Sequence, residues 1–125
     1  MAKVAINGLG RIGRATLKVL MDTPELELVA VNDIAPTDNI AYLLRFDSVY
    51  GRYEGEVDVE DGHLTIDGQR IRTSTERDPT QLPWGELDVD IVFECTGVFT
   101  KKEDLRKHIQ AGAQAVLLSA PAKDE

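Results

Sequence analysis

The sequence predicts an α/β fold, a doubly wound parallel sheet with an inserted antiparallel β-meander. Three observations predict it. An apolar run over residues 3–7 is followed at once by Gly8-Leu9-Gly10-Arg11-Ile12-Gly13 and then by a helical repeat. A second apolar run, residues 26–31, ends at Asn32-Asp33. Between residues 56 and 73, two Asp-Gly pairs separate short alternating runs, which is a strong hairpin signal.

Each element has its own justification. Lys3-Val4-Ala5-Ile6-Asn7 reads as a short buried strand. From Ile12 the apolar residues Ile12, Ala15, Val19 and Leu20 recur near helical period, and Pro24 breaks the helix. With residues 26–31 this makes one right-handed βαβ unit. Thr37-Asp38 caps a helix running to about Phe46, with Ile40, Leu43 and Leu44 on one side. The turns Asp61-Gly62 and Asp67-Gly68 join three antiparallel strands carrying Val57 and Val59, then Leu64 and Ile66, then Ile71.

Asp78-Pro79 and Leu82-Pro83-Trp84-Gly85 read as a loop, and residues 88–94 return to the sheet. Thr100-Lys101-Lys102-Glu103 is a capping box for a helix with Leu105 and Ile109 inward. Gly112 stops that helix and residues 115–118 form another buried strand.

The glycine pattern specifies a chemistry. Gly8 permits a tight turn out of the strand, Gly10 lets backbone approach a pyrophosphate, and Gly13 lets the helix pack on the sheet. The unpaired N–H groups near Arg11 and Ile12 point at phosphates, with the helix dipole favouring negative charge. Asp33, at the end of the second strand, accepts hydrogen bonds from both hydroxyls of an adenosine ribose. A 2′-phosphate there meets like-charge repulsion, so NAD is expected over NADP. A kinase glycine loop is excluded, because it lies between two strands and precedes a Val-Ala-Ile-Lys strand that this sequence lacks.

Length and composition set the frame. The 125 residues suffice for one domain, 1–125, with one core. A hydrophobic content of 42% fits a globular protein, and no stretch approaches the ~20 apolar residues of a membrane helix. The first strand begins too early for a signal peptide, and the single cysteine fits a reducing cytoplasm. A net charge of −8 disfavours nucleic-acid partners. Arg70, Arg72 and Arg77 are diluted by Glu76 and Asp78 and read as a solvated face.

Two more strand ends reach the predicted carboxyl edge, Cys95-Thr96-Gly97 and Ser119-Ala120, where ligands of open α/β sheets bind. Cys95 needs a nearby base to act as a nucleophile, and none is evident, so it reads as a small core residue. His63 and His108 read as surface residues rather than metal ligands. The remaining carboxylates read as solvated or capping groups. No catalytic or metal-binding residue is expected.

The ordered series Ile6-Asn7-Gly8-Leu9-Gly10-Arg11-Ile12-Gly13-Arg14, Val31-Asn32-Asp33, Glu94-Cys95-Thr96-Gly97-Val98-Phe99-Thr100 and Ser119-Ala120-Pro121-Ala122-Lys123 resembles the glyceraldehyde-3-phosphate dehydrogenases. Asp47-Ser48-Val49-Tyr50-Gly51 and Leu82-Pro83-Trp84 match too, while Leu9 replaces the family's usual phenylalanine.

The resemblance implies a Rossmann-type domain. It implies that Arg11 and Ile12 bind the NAD pyrophosphate through backbone N–H groups and that Asp33 holds the adenosine ribose. It places Arg77 near the adenine, Ile34 and Phe99 on either side of it, and Thr96, Gly97 and Ser119 along the path to the nicotinamide. The family oxidises an aldehyde-derived thiohemiacetal with NAD and releases the acyl group to phosphate. It is usually a cytoplasmic homotetramer.

The family's Ser-Cys-Thr-Thr-Asn segment, its partner histidine and its sugar-phosphate-binding residues do not occur in this sequence. The expectation is therefore the cofactor domain alone, inactive by itself, with an exposed apolar patch that favours self-association. A stand-alone NAD or adenine-nucleotide module and an erythrose-4-phosphate dehydrogenase fragment are the alternatives. RNA binding is disfavoured by charge.

Overall fold

The computed structural model describes residues 2–46, 57–66, 68–96 and 102–118. In chain order the elements are β1 (Ala2–Asn7), α1 (Arg11–Met21), β2 (Leu26–Asn32), α2 (Thr37–Phe46), β3 (Val57–Glu60), β4 (His63–Ile66), β5 (Gln69–Ser74), a 3₁₀ turn (Pro79–Gln81), β6 (Ile91–Glu94), α3 (Lys102–Gln110) and β7 (Ala115–Leu118). The described strands form one sheet in the order β3-β4-β5-β2-β1-β6-β7. From β5 to β7 all neighbours are parallel. β4 runs antiparallel to both of its neighbours, β3 and β5.

The meander is continuous with the core sheet. β5 pairs antiparallel with β4 through Leu64↔Ile71 and parallel with β2 through Ala30↔Arg72. Its alternation buries Ile71 and Thr73 and exposes Arg70 and Arg72. The β3–β4 turn has positive φ at both Asp61 (53°) and Gly62 (79°), the backbone an Asp-Gly hairpin turn requires. Gly68 also has positive φ, and Asp67 lies outside the described residues.

Both sheet faces are covered. On one, Val4, Ile6, Leu28 and Val31 pack with Leu17 and Leu20 of α1, Ile40, Ala41 and Leu44 of α2, and Leu64, Ile66 and Ile71 of the meander. On the other, Ala5, Ala30 and Val92 pack with Leu82, Trp84, Val89 and Ala113. Trp84 is fully buried. An indole removes on the order of 200 Å² from water, about 5 kcal/mol of favourable transfer energy.

Helix rotation differs from the expectation in three places. In α1 the buried stripe is Gly13, Leu17 and Leu20, while Ile12 and Val19 are 47% and 64% exposed. The reason is Gly13, whose missing side chain lets the helix press against the Gly8 carbonyl. A Cβ there would overlap that oxygen. In α2, Ile40, Ala41 and Leu44 face inward and Leu43 is partly exposed. In α3, Ile109 is 44% exposed and His108 is completely buried, one position round from the expected inward face.

An apolar groove lies on the outside of α1, lined by Ile12, Ala15, Val19, Leu20, Leu26 and Phe93. Leu117 of β7 is also half exposed. No helix among the described residues is long and apolar enough to cross a membrane.

Candidate functional site

The parallel strands β2, β1 and β6 end side by side, and their last residues, Asn32, Asn7 and Glu94, are all polar. In register, Asn7 faces Asn32 on one side and Glu94 on the other. The backbone ladder continues beyond the strands: Gly8 N–H donates to Asn32 O at 2.7 Å, Asp33 N–H to Ser74 O at 3.1 Å, and Cys95 N–H to Asn7 O at 2.8 Å. These bonds hold three loops around a cleft of about 430 Å³. Gly8, Gly10, Asp33, Ile34, Arg77 and Thr96 line it, together with Asn7, Asn32, Glu76 and Cys95.

The glycine loop has two opposite packing states. Gly8 has φ of 97°, and a Cβ on it would stand 2.7–2.9 Å from Thr96 atoms, so only glycine fits the turn. Gly10 has φ −72° and ψ −160°, and a Cβ on it would meet nothing within 4 Å. The space beside Gly10 is open. Gly10 is the N-cap of α1, with no side-chain cap and no acidic residue in the first turn. The first-turn N–H groups therefore keep capacity for an anion, and the helix dipole favours one there.

Asp33 stands across the loop. One carboxylate oxygen accepts the Leu9 N–H at 2.6 Å and the other accepts the Ala35 N–H at 2.9 Å. A carboxylate oxygen has two lone pairs, so both retain capacity for hydroxyl donors. The carboxylate pins the glycine loop as well as offering acceptors to the cleft, a second role beyond the expected one.

Asn32 holds one rim of the cleft. Its amide donates to Glu76 O at 2.8 Å and its Oδ1 accepts Glu76 N–H at 2.8 Å and the Ser74 hydroxyl at 2.8 Å. The reciprocal pair docks the loop that carries Arg77, which is exposed on the rim. Asn32 also donates to Asn7 Oδ1 at 2.7 Å.

Glu94 and His108 overturn the surface reading of these residues, for both are completely buried. Glu94 Oε2 accepts from the Thr96 N–H at 2.9 Å and hydroxyl at 2.7 Å, and Oε1 accepts from Asn7 Nδ2 at 2.8 Å. His108 Nε2 lies 2.7 Å from Oε1, and its Nδ1 accepts Trp84 Nε1–H at 2.9 Å. Burial alone would raise the Glu94 pKa. The bonds from His108, Thr96 and Asn7 outweigh it and hold the carboxyl below its ordinary value of 4.5. His63, half-buried, accepts the Thr73 N–H at 3.0 Å.

Of the residues expected to hold the cofactor, Gly8, Gly10, Asp33, Arg77 and Thr96 share the cleft. Arg11 and Ile12 head α1 directly after Gly10, which lines the cleft, while the Ile12 side chain lies in the groove outside. Gly97, Phe99 and Ser119 lie outside the described residues. Asn7, Asn32, Glu76 and Glu94 had no role in the sequence reading. For Asn7, Asn32 and Glu94 the signal was a polar residue closing an apolar run at a strand's carboxyl end, while Glu76 lies in the loop after β5 and carried none. Cys95 is buried, with Sγ 4.0 Å from the Thr16 hydroxyl. No group of His, Cys, Asp and Glu suited to a metal occurs among the described residues.

A family model described as glyceraldehyde 3-phosphate dehydrogenase, NAD binding domain, matches residues 2–102. The chain belongs to this family. It is 47% identical over 125 residues to a glyceraldehyde-3-phosphate dehydrogenase of Clostridium acetobutylicum, covering 100% of this chain. It is 51% identical over 123 residues to that of Geobacillus stearothermophilus, and 48% over 122 residues to glyceraldehyde-3-phosphate dehydrogenase A of Escherichia coli K12, each covering 98% of this chain. The chain spans about 37% of the length of each of these relatives.

Proposed function

We propose that residues 1–125 are the NAD-binding domain of a phosphorylating glyceraldehyde-3-phosphate dehydrogenase. The observation that carries the reading is the open space beside Gly10, bounded by an uncapped helix N-terminus and, across the loop, by Asp33. The first-turn N–H groups of α1 take the pyrophosphate. Asp33 takes the adenosine ribose hydroxyls and repels a 2′-phosphate. Arg77 and Ile34 stand at the adenine end of the cleft. Thr96, Gly97, Phe99 and Ser119 are assigned by family likeness, with Thr96 on the cleft wall. Bound NAD supplies the hydride acceptor for oxidation of an aldehyde to an acyl phosphate.

The Cys95 sulfur lies against the Thr16 hydroxyl, and His108 is engaged by Trp84 and Glu94. In this reading the chain binds cofactor, and turnover belongs to the remainder of the relatives' length. A nucleotide-binding module with no chemistry of its own is the second reading, favoured by Cys95 and His108 each being engaged elsewhere.

Calorimetry with NAD and NADP tests the assignment. The wild-type chain binds NAD in preference, and Asp33→Ala weakens NAD and narrows its advantage over NADP. Equal binding of the two nucleotides by wild type and variant alike removes Asp33 from the site, and absence of NAD binding removes the function.

A further inference from the structure

Two residues of the cleft wall, Asn7 and Thr96, hang from one carboxylate that does not itself line the cleft. Glu94 meets Thr96 through one oxygen and Asn7 and His108 through the other. The direction of each bond follows from chemistry. An indole N–H only donates, so His108 Nδ1 carries the lone pair and Nε2 carries the proton, which it donates to Glu94.

An ionised carboxylate only accepts, so Asn7 must turn its amide nitrogen to Glu94 and its Oδ1 to Asn32. Asn32 must then donate to Asn7 and present its own Oδ1 to Glu76 N–H and the Ser74 hydroxyl. The Glu76 backbone N–H and C=O fix Asn32 in the same sense from the other end, so the acceptor-only carboxylate of Glu94 sets Thr96 and Asn7 and the row is matched from Thr96 to the loop carrying Arg77.

We propose that Glu94 is a positioning residue of the nucleotide cleft: from beneath its floor it orients Thr96 and Asn7, through Asn7 it meets Asn32, and His108 with Trp84 braces it from the opposite side. This rests on the NAD reading of the cleft. Glu94→Gln is the test, since one end of the new amide is a donor and opposes either Thr96 N–H or the Asn7 amide.

The expected result is a rise in NAD dissociation constant of roughly 10-fold or more, as one charge-assisted bond is lost. The side-chain NH₂ resonances of Asn7 and Asn32 shift as well. Val92→Ala, a buried apolar truncation on the same strand, controls for stability and leaves the NAD constant within about 2-fold.

A folded Glu94→Gln chain with wild-type affinity and unmoved asparagine resonances overturns the proposal. So does an equal loss in Val92→Ala. If Glu94→Gln does not fold, amide exchange of the wild type decides: slow exchange at Thr96 supports its bond to Glu94, and exchange at the rate of an open loop overturns it. Failure of the wild type to bind NAD would sink the cofactor reading separately, while the asparagine resonances still report the positioning.

Discussion

Gly10→Ala separates the fold from the function. Gly10 already has φ −72°, which alanine adopts without strain, and the added Cβ meets nothing within 4 Å. Replacing glycine at a compatible site stabilises by about 0.4–1 kcal/mol through the unfolded chain. Alanine is a poorer N-cap than glycine by an amount of similar size, so the net change stays within about 1 kcal/mol.

Binding behaves differently. The new methyl occupies the place from which a phosphate reaches the first-turn N–H groups of α1. Each charge-assisted bond contributes about 1.5–3 kcal/mol. Losing two costs about 3–6 kcal/mol, or roughly 10²–10⁴-fold in Kd. Calorimetry with NAD, run beside thermal denaturation, reads both quantities. Unchanged Tm with unchanged Kd refutes the placement of the pyrophosphate against Gly10.

Three other predictions follow from the same geometry. Gly13→Ala drives a Cβ into the Gly8 backbone, which cannot yield as a flexible side chain does, so it destabilises by about 1–3 kcal/mol or more in urea denaturation. Because the Glu94 pKa is lowered on folding, its contribution is complete above the ordinary value of 4.5 and is lost as pH falls through the still lower folded value. Denaturation midpoints should then fall more steeply with acid below pH 4.5 in wild type than in Glu94→Gln. The apolar groove beside α1 promotes self-association, so sedimentation velocity of Val19→Glu should show less dimer than wild type at high concentration. A wild type that stays monomeric contradicts this.

The strands and turns were legible because their signals are local. Asp61-Gly62 demands a hairpin whatever lies around it, and the glycine spacing marks the strand-to-helix turn. Helix rotation was less legible. Apolar spacing in α1 suggested Ile12 and Val19 as the inner face, but close contact at Gly13 turns them outward. His108 illustrates the same limit. A histidine on an otherwise polar helix looks solvated until Trp84 and Glu94, distant in sequence, supply one partner for each ring nitrogen. In the cleft, the glycines and Asp33 were readable from motif chemistry. The Glu94-Asn7-Asn32 chain was not, because it depends on the order β2-β1-β6, which brings three strand ends into one row.

The central claim is that NAD lies over the carboxyl ends of β2, β1 and β6. A ¹H–¹⁵N correlation titration of the chain with NAD tests it most directly. The largest amide shifts are expected at residues 8–13, Asp33 and Ile34, Glu76 and Arg77, and Thr96. The amides of β3 and β4 should remain in place. Shifts concentrated in the meander or along the Val19–Phe93 groove, or none at saturating NAD, would contradict it.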